Sequence, residues 1–431
     1  MNKRLLIISP YFPRGNAADM HRVRTSLPFY AACGWDAEVV TVDPQYYDVV
    51  LDDLLEQSLP EKVIIHRVKA FDKRKTAKFG LGSIALRSLW YYFLSVNKLL
   101  RTNHYDVIFF STTQFPVLVL GRLWKRRSNL KIVFDIQDPW HTDYYKTRPK
   151  IERPKKYWFS YHLNKILEPI AMSAADGLLS VSEGYLKVLH QRYPHLKLKP
   201  AATMPFGMHM PDLQIARSTV HIQPSILKAR DKFNLVYVGR GGEDLLPALK
   251  LLMKAIKMGL QKQPELFRKL SVQLFGTSYA PAGCGKSTFS SEIQKQGLSN
   301  IICETMDRLP FYQTLNTLED AQMLFLPGPE QPDYLASKIF PYLMVQRPIL
   351  AILHKDSSGM PILSACPNVS VFTFDQDVSL LIMNIYHCLC SELATGTSLK
   401  NMPQRIDKGH SSAQLTILQT NLFNQVCEFP N

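Results

Sequence analysis

Four stretches of this 431-residue chain place chemically capable side chains where an apolar, β-branched run gives way to a helical pattern. In IVFDIQDPWHTDYY, Ile132 to Tyr145, a buried strand would deliver Asp135, Asp138 and His141 to its carboxyl end. Asp138 or His141 there can orient a hydroxyl group or take its proton. The plainer alternative is that Asp138-Pro139 caps the next segment and Trp140 packs in the core. In SPYFPRGNAADMHRVR, Ser9 to Arg24, Pro10 and Pro13 stiffen a loop, and Gly15-Asn16 lets backbone come close to a ligand. A helix opening near Ala18-Asp19 offers unpaired N–H groups to a phosphate, with His21, Arg22 and Arg24 on its first turns. Against this stands an ordinary strand-to-helix loop with a solvated basic face.

The third stretch is NLVYVGRGGED, Asn234 to Asp244, where Gly239, Gly241 and Gly242 flank Arg240 at the end of a strand. A guanidinium so placed can make a fork of hydrogen bonds to a diphosphate. The fourth, DAQMLFLPGPEQPDYLASKIFPYLMVQRPILAILHKDSSG, spans Asp320 to Gly359. Met323–Pro327 reads as a buried strand, Ser337 as a helix N-cap and Lys338 as a first-turn residue. A lysine in a first turn opposes the helix dipole unless an anion compensates, so Ser337 and Lys338 together predict a phosphate site.

Three other signals carry less. Gly285-Lys286-Ser287 ends like a phosphate-binding P-loop, but Ala280 stands where the loop's first glycine belongs. Asp375 and Asp377 resemble a metal-binding pair and are better read as a cap for a helix starting near Val378. His387, Cys388 and Cys390 lack the partners and spacing of a metal site, so no metal site is expected. Seven cysteines, odd in number and without a Cys-x-x-Cys pair, predict no disulfide framework and fit a reducing compartment.

These residues must be held by strands and helices, and the same unit recurs along the chain. Apolar runs occur at Arg4–Ser9, Glu38–Val42, Val63–Val68, Val107–Ser111, Lys131–Asp135 and Leu178–Ser182 in the first half. In the second they occur at Leu235–Gly239, Ser271–Gly276, Asn300–Cys303, Met323–Pro327, Pro348–Leu353 and Ser370–Phe374. Short runs apolar throughout, separated by helix-length segments, are the mark of parallel strands buried on both faces. Two sets predict an α/β protein of two Rossmann-like, doubly wound parallel-sheet domains facing a central cleft. The expected divisions are 1–205, a proline-interrupted linker at 206–232 without a strand of five residues, 233–410, and a terminal amphipathic helix in 411–431.

The composition excludes a disordered, collagen-like or coiled-coil chain: 46% of residues are hydrophobic and 20% charged. No stretch reaches the roughly 18 apolar residues of a membrane span. The net charge of +15 is lopsided, +13 in residues 1–200 and +2 in the remainder. Much of the excess lies in Lys69–Arg101, where Arg74, Lys75 and other basic residues alternate with aromatics such as Trp90, and in Arg122–Arg127. Basic residues mixed with aromatics suit an anionic membrane surface. Nucleic acid is not expected, since no recognition motif accompanies the charge. The expected location is cytoplasmic, peripheral on the inner face of the cell membrane.

The motifs LIISPYFPRGNAADMHRVR, GRGG, FGTSYAP (Phe275–Pro281) and DYLASKIFPYLMVQRPILAI, in this order from Lys3 to about Gly359, resemble glycosyltransferase family 4 and its GT-B relatives. The resemblance implies retaining, metal-independent transfer of a sugar from a nucleotide-sugar donor to a glycan or lipid-linked acceptor, without a further cofactor. It assigns the donor to Gly15, Asn16, Arg240, Gly241, Thr277, Asp333, Ser337 and Lys338. Asp138 and His141 become the catalytic candidates, and Asp19, Arg22, Arg74, Lys75 and Trp90 the acceptor or membrane side. Two positions depart from the family pattern. Leu245 stands where a lysine usually follows the arginine, and Pro341 where the second of two glutamates binds the donor ribose. Other readings of the same fold are a sugar-nucleotide-binding protein without catalysis and a sugar-nucleotide epimerase.

Overall fold

The computed structural model describes the chain apart from residues 1, 127–129, 144–145, 147–148, 151–152, 154–155, 220–230, 279, 281–282, 333–337, 397–407 and 431. It divides into two compact units, Met1–Gly207 with Lys408–Asn431, and Met208–Asp407.

The first unit is built on seven strands: β1 (Lys3–Ile8), β2 (Trp35–Val42), β3 (Ile64–Val68), β4 (Val107–Ser111), β5 (Lys131–Ile136), β6 (Gly177–Ser180) and β7 (Ala201–Thr203). The second has six: β8 (Phe233–Val238), β9 (Leu270–Phe275), β10 (Ile302–Thr305), β11 (Met323–Pro327), β12 (Ile349–Leu353) and β13 (Val369–Thr373). The orders are β3-β2-β1-β4-β5-β6-β7 and β10-β9-β8-β11-β12-β13, and the recorded pairs are all parallel. Both sheets are α/β and doubly wound. In each the order reverses beside its first strand, between β1 and β4 and between β8 and β11, which is where such sheets open a crevice at their carboxyl ends. Central strands such as Val107–Ser111 and Met323–Pro327 are buried along their whole length, as sheets covered on both faces require.

Helices form where an apolar stripe meets a cap. In Ile84–Thr102 the side chains of Ile84, Ser88, Tyr92 and Val96, spaced by four, face the core. Ser83 Oγ accepts from Leu86 N at 3.3 Å to close its first turn. Asp377 caps Val378–Thr395 in the same way, its Oδ1 accepting from Leu380 N at 2.9 Å.

Three features differ from the sequence expectation. Strand β7, three residues between Pro200 and Pro205, is too short and too exposed to give a pattern. The segment 206–232 contains a helix, Met210–Ser218, that packs on Phe311–Asp320 of the second unit, with Tyr312 Oη donating to Asp212 Oδ1 at 3.2 Å. The terminal helix Ser412–Glu428 belongs to the first unit. Its Phe423 lies against Tyr30, Trp35 and Phe109 at centroid distances of 6.4, 5.5 and 5.1 Å. Burying a side chain so completely contributes roughly 2–3 kcal/mol. Gly207 is where the chain leaves this unit, and a Cβ there would collide with Leu415 of the returning helix.

Among the described residues one helix, Val378–Thr395, is long and apolar enough to cross a membrane by length and composition, with a mean hydropathy of 1.3. This qualifies the expectation that no such stretch exists. Leu381, Ile385, Leu389 and Leu393 of this helix are buried, and it packs on Leu246–Lys262 within the second unit.

Candidate active site

In the second unit, chemistry gathers at the end of β8. Tyr237 is the penultimate residue of that strand, and its hydroxyl donates to the Arg240 carbonyl at 2.6 Å, curling the Gly239–Gly242 turn over the strand end. Gly239 N and Gly241 N donate to the carbonyls of Phe275 (2.9 Å) and Thr277 (2.7 Å), which seats the turn on the loop after β9. Arg240 forks onto Asp244, Nη1 to Oδ1 at 2.9 Å and Nη2 to Oδ2 at 2.6 Å. Desolvation alone would raise the Asp244 carboxyl, but the hydrogen bonds and charge of Arg240 outweigh it and hold it below the ordinary value.

Lys338 arrives from a different element. The helix Ile339–Met344 is pinned to β8 by Tyr342, whose hydroxyl accepts from Val238 N at 2.8 Å. Lys338, four residues earlier, therefore lies on the same side. Its Nζ donates to Tyr237 Oη at 2.5 Å and sits 4.4 Å from the Tyr237 ring centroid. A side chain at Gly239 would collide with this ammonium, which explains the glycine. Burial, reinforced by the Arg240 charge, lowers the Lys338 pKa to about 7, against a smaller opposing effect of Asp244. Among the described residues Lys338 has no carboxylate partner. The helix has six residues, so attraction for an anion at this strand end would come from the cation rather than from a helix dipole. Ser337 and Asp333 lie outside the described residues. Leu245, in place of the family's lysine, is fully buried in the core.

Thr277 and Gly241 have other duties. Thr277 Oγ1 donates to Glu304 Oε1 at 2.7 Å. The same carboxylate accepts from the backbone of Thr288 (3.1 Å), Phe289 (3.1 Å) and Ser290 (2.9 Å), and from the hydroxyls of Ser287 and Ser290. These hydrogen bonds lower its pKa in spite of desolvation. The P-loop-like GKS segment is thus filled by the chain's own glutamate. Gly241 is needed because a Cβ would come within 2.7 Å of the Thr277 carbonyl and 2.8 Å of Thr288 Oγ1.

In the first unit the loop after β1 folds back on its own chain. A Cβ on Gly15 would meet Tyr11 O at 2.8 Å and Val49 Cγ2 at 3.1 Å, and Asn16 N donates to Val50 O at 2.8 Å. Internal packing therefore accounts for this glycine. Asp19 is buried, its Oδ2 accepting from Thr112 Oγ1 (2.7 Å) and Thr113 N (3.0 Å), and burial raises its carboxyl. Arg22 is buried too: Nε pairs with Asp135 Oδ2 at 2.8 Å and Nη2 donates to Met204 O at 2.8 Å. Asp135 also accepts from Ser111 Oγ (2.8 Å) and Gln137 Nε2 (2.6 Å). The expectation that Asp19 and Arg22 face an acceptor or membrane is therefore corrected. Both tie the loop to the ends of β4 and β5. Arg74, Lys75 and Trp90 are exposed.

The catalytic candidates follow β5. Asp138 is exposed, without a partner among the described residues, and desolvation raises its carboxyl. His141 is anchored by its backbone: its N–H donates to Glu168 Oε2 at 2.8 Å and its carbonyl accepts from Arg192 Nη2 at 3.2 Å. Glu168 is buried and also holds Arg192 and the Tyr193 hydroxyl. The ring rests against Tyr161 at 4.8 Å, and its buried Nε2 has no partner among the described residues. Burial and the Arg192 charge lower its pKa, leaving a neutral imidazole. Trp140 is core, stacked on Phe115 at 5.4 Å.

Sequence reasoning missed Tyr237, Tyr342, Asp244, Glu168 and Glu304. Tyr342 sits four residues from Lys338, a helical spacing that could have found it, and Asp244 lies close to Arg240 in sequence across the glycine turn. Glu304 gave no local signal, its partners lying 14 to 27 residues away. Among the described residues no group of three or more His, Cys, Asp or Glu could hold a metal.

The sequence matches no family model and no curated protein. Solved structures match it along its whole length. HepE of Anabaena in complex with UDP-glucose has a TM-score of 0.53 at 16% identity, covering 99% of this chain and 98% of that one. An α,α-trehalose-phosphate synthase (UDP-forming) from Burkholderia xenovorans, in complex with glucose-6-phosphate, gives 0.54 at 12%, covering 98% and 97%. A putative UDP-N-acetylglucosamine 2-epimerase from Listeria monocytogenes gives 0.51 at 10%, covering 98% and 95%. The chain has the GT-B fold. Because that fold carries transferases and an epimerase alike, chemistry must come from the residues.

Proposed function

We propose that this chain is a glycosyltransferase that moves a sugar from a nucleotide-sugar donor to a glycan or lipid-linked acceptor. The observation that carries the reading is the meeting of Arg240 and Lys338 at the carboxyl end of β8. One cation is held by a partly exposed aspartate and the other, among the described residues, by no carboxylate. A diphosphate would accept from both, taking Asp244's place on the guanidinium fork. As the bond between the anomeric carbon and the phosphate oxygen breaks, charge grows on that oxygen, and the two cations stabilise it. The acceptor hydroxyl oxygen bonds to the anomeric carbon. Its proton goes to the departing diphosphate, or to Asp138, whose carboxyl burial makes more basic, or to the neutral imidazole of His141. Retention of configuration is supported by the sequence resemblance. Independence of a metal is supported by the positive charge that Arg240 and Lys338 already supply.

The test is a panel of nucleotide sugars and nucleoside diphosphates in a thermal-shift assay, followed by acceptor-dependent nucleotide release, with Arg240→Ala and Lys338→Ala in parallel. A stabilising donor, lost in both variants, and nucleotide release that requires acceptor support the reading. If no nucleotide shifts the melting temperature, the donor site is wrong. Leu245 in place of a family lysine favours a second reading, donor binding without transfer, which would give the shift but no release. Conversion of free nucleotide sugar without acceptor would instead identify an epimerase.

A further inference from the structure

Two segments far apart in sequence form one surface on the first unit. The turn Lys73–Gly80 meets the start of the helix Tyr157–Met172: Lys156 Nζ donates to the Ala77 carbonyl at 3.0 Å, and the Phe159 ring lies 3.0 Å from where a Cβ of Gly80 would stand. Aromatic side chains project from this junction, Phe79 at 78% and Trp158 at 72% exposure. Lys75 and Lys78 are exposed beside them and have no carboxylate partner among the described residues. Along the helix, the row spaced by four from Trp158 continues through His162 to Ile166 and Ile170, which are 60% and 42% exposed. This ridge is about 18 Å long at 1.5 Å per residue. By contrast Arg87 and Tyr92, within the same basic-aromatic stretch of sequence, are buried. Arg87 donates to the carbonyls of Phe71 and Tyr46 at 3.0 and 2.9 Å.

We infer that this ridge is a docking surface for an anionic lipid bilayer, with Phe79 and Trp158 entering the headgroup region and Lys75, Lys78 and Lys156 meeting lipid phosphate. The charge is complementary to anionic lipid, and the aromatics are of the kind that settle at a membrane interface. Ile166 and Ile170 decide between partners. Aliphatic side chains gain little from nucleic-acid bases, whereas acyl chains accept them. The inference goes beyond the transfer reading, because binding to lipid requires no donor.

The test uses the full chain without nucleotide, sedimented with phosphatidylcholine vesicles or with vesicles containing 30% phosphatidylglycerol. Binding to the anionic vesicles alone is expected, weakened at least tenfold by Lys75→Glu with Lys78→Glu and by high salt. Brominated lipid should quench tryptophan fluorescence in the native chain and much less in Trp158→Phe. That last variant keeps the aromatic body and alters an exposed position, so its fold is preserved. Equal binding to both vesicle types, or quenching unchanged in Trp158→Phe, overturns the inference. So does a dimer dissociated by the Phe79→Ser, Trp158→Ser double variant, or an oligonucleotide complex lost in the charge reversals, if vesicle binding survives the same changes.

Discussion

On the proposed reading, Lys338 makes donor binding depend on pH in a direction and amount that can be worked out. With its pKa near 7, about half of the side chains are protonated at pH 7 and about 1% at pH 9. A diphosphate needs the ammonium form and, by supplying its missing counter-charge, restores the lysine toward its ordinary value of about 10.4. The apparent affinity for UDP should therefore fall about fiftyfold between pH 7 and pH 9, which corresponds to about 2.3 kcal/mol. Over this range the phosphates are already ionised, since their second pKa lies near 6. Linkage gives a second observable: at pH 8, binding takes up about 0.9 proton per UDP. Isothermal titration in HEPES and in Tris, whose ionisation enthalpies differ, measures that uptake directly. Lys338→Met should bind UDP more weakly at pH 7, with a flat pH profile and no uptake. For the free protein the sign is opposite to that of an ordinary ion pair. The folded lysine binds its proton less tightly than the unfolded one, so stability of the second unit rises with pH between about 7 and 10.5. Native protein without proton uptake at pH 8, or a pH slope that persists in Lys338→Met, would refute the reasoning.

Three further outcomes follow from the same geometry. Asp244→Asn should tighten UDP binding about fivefold, the size of a partly exposed ion pair, and move the pH profile lower because Asp244 supports the Lys338 charge; titration calorimetry reads both. Arg22→Met leaves Asp135 buried and uncompensated, so urea denaturation should show a loss of about 3–5 kcal/mol, partly recovered by adding Asp135→Asn. In Glu304→Ala the N–H groups of Thr288, Phe289 and Ser290 lose their acceptor. Hydrogen exchange should accelerate in 287–290 and slow again on adding sulfate.

Most of the architecture was legible because buried parallel strands need uninterrupted apolar runs, and each expected run overlaps a strand. Strand β7 escaped notice for the opposite reason: an edge strand of three half-exposed residues, Ala201–Thr203, needs no apolar signature. The terminal helix was visible as amphipathic, but its place was not, since no local pattern says that Phe423 will meet Trp35 and Phe109 across the fold. Charged residues were the least legible. Arg22 and Arg74 look alike in sequence, yet one is buried against Asp135 and the other has its side chain 91% exposed. A residue type states what a side chain can do, whereas desolvation and partners decide what it does.

The same distinction ranks the anion-attracting sites of the second unit. Glycine- and hydroxyl-rich turns with free N–H groups are common at strand ends, and a protein that leaves them empty bears the desolvation cost. The loop at Ser287–Ser290 avoids that cost permanently: Glu304 satisfies three backbone donors and three hydroxyls, counting Thr277. No phosphate can displace it without stranding a half-buried carboxylate. Arg240 forks onto Asp244, which is 35% exposed and can turn to water when a better acceptor arrives. Among the described residues Lys338 has no carboxylate partner, and burial lowers its pKa. An incoming diphosphate therefore gains most where the protein has done least for itself. On that ground the proposed donor site is the Arg240 and Lys338 end of β8, with Thr277 bound to Glu304 in the loop beside it.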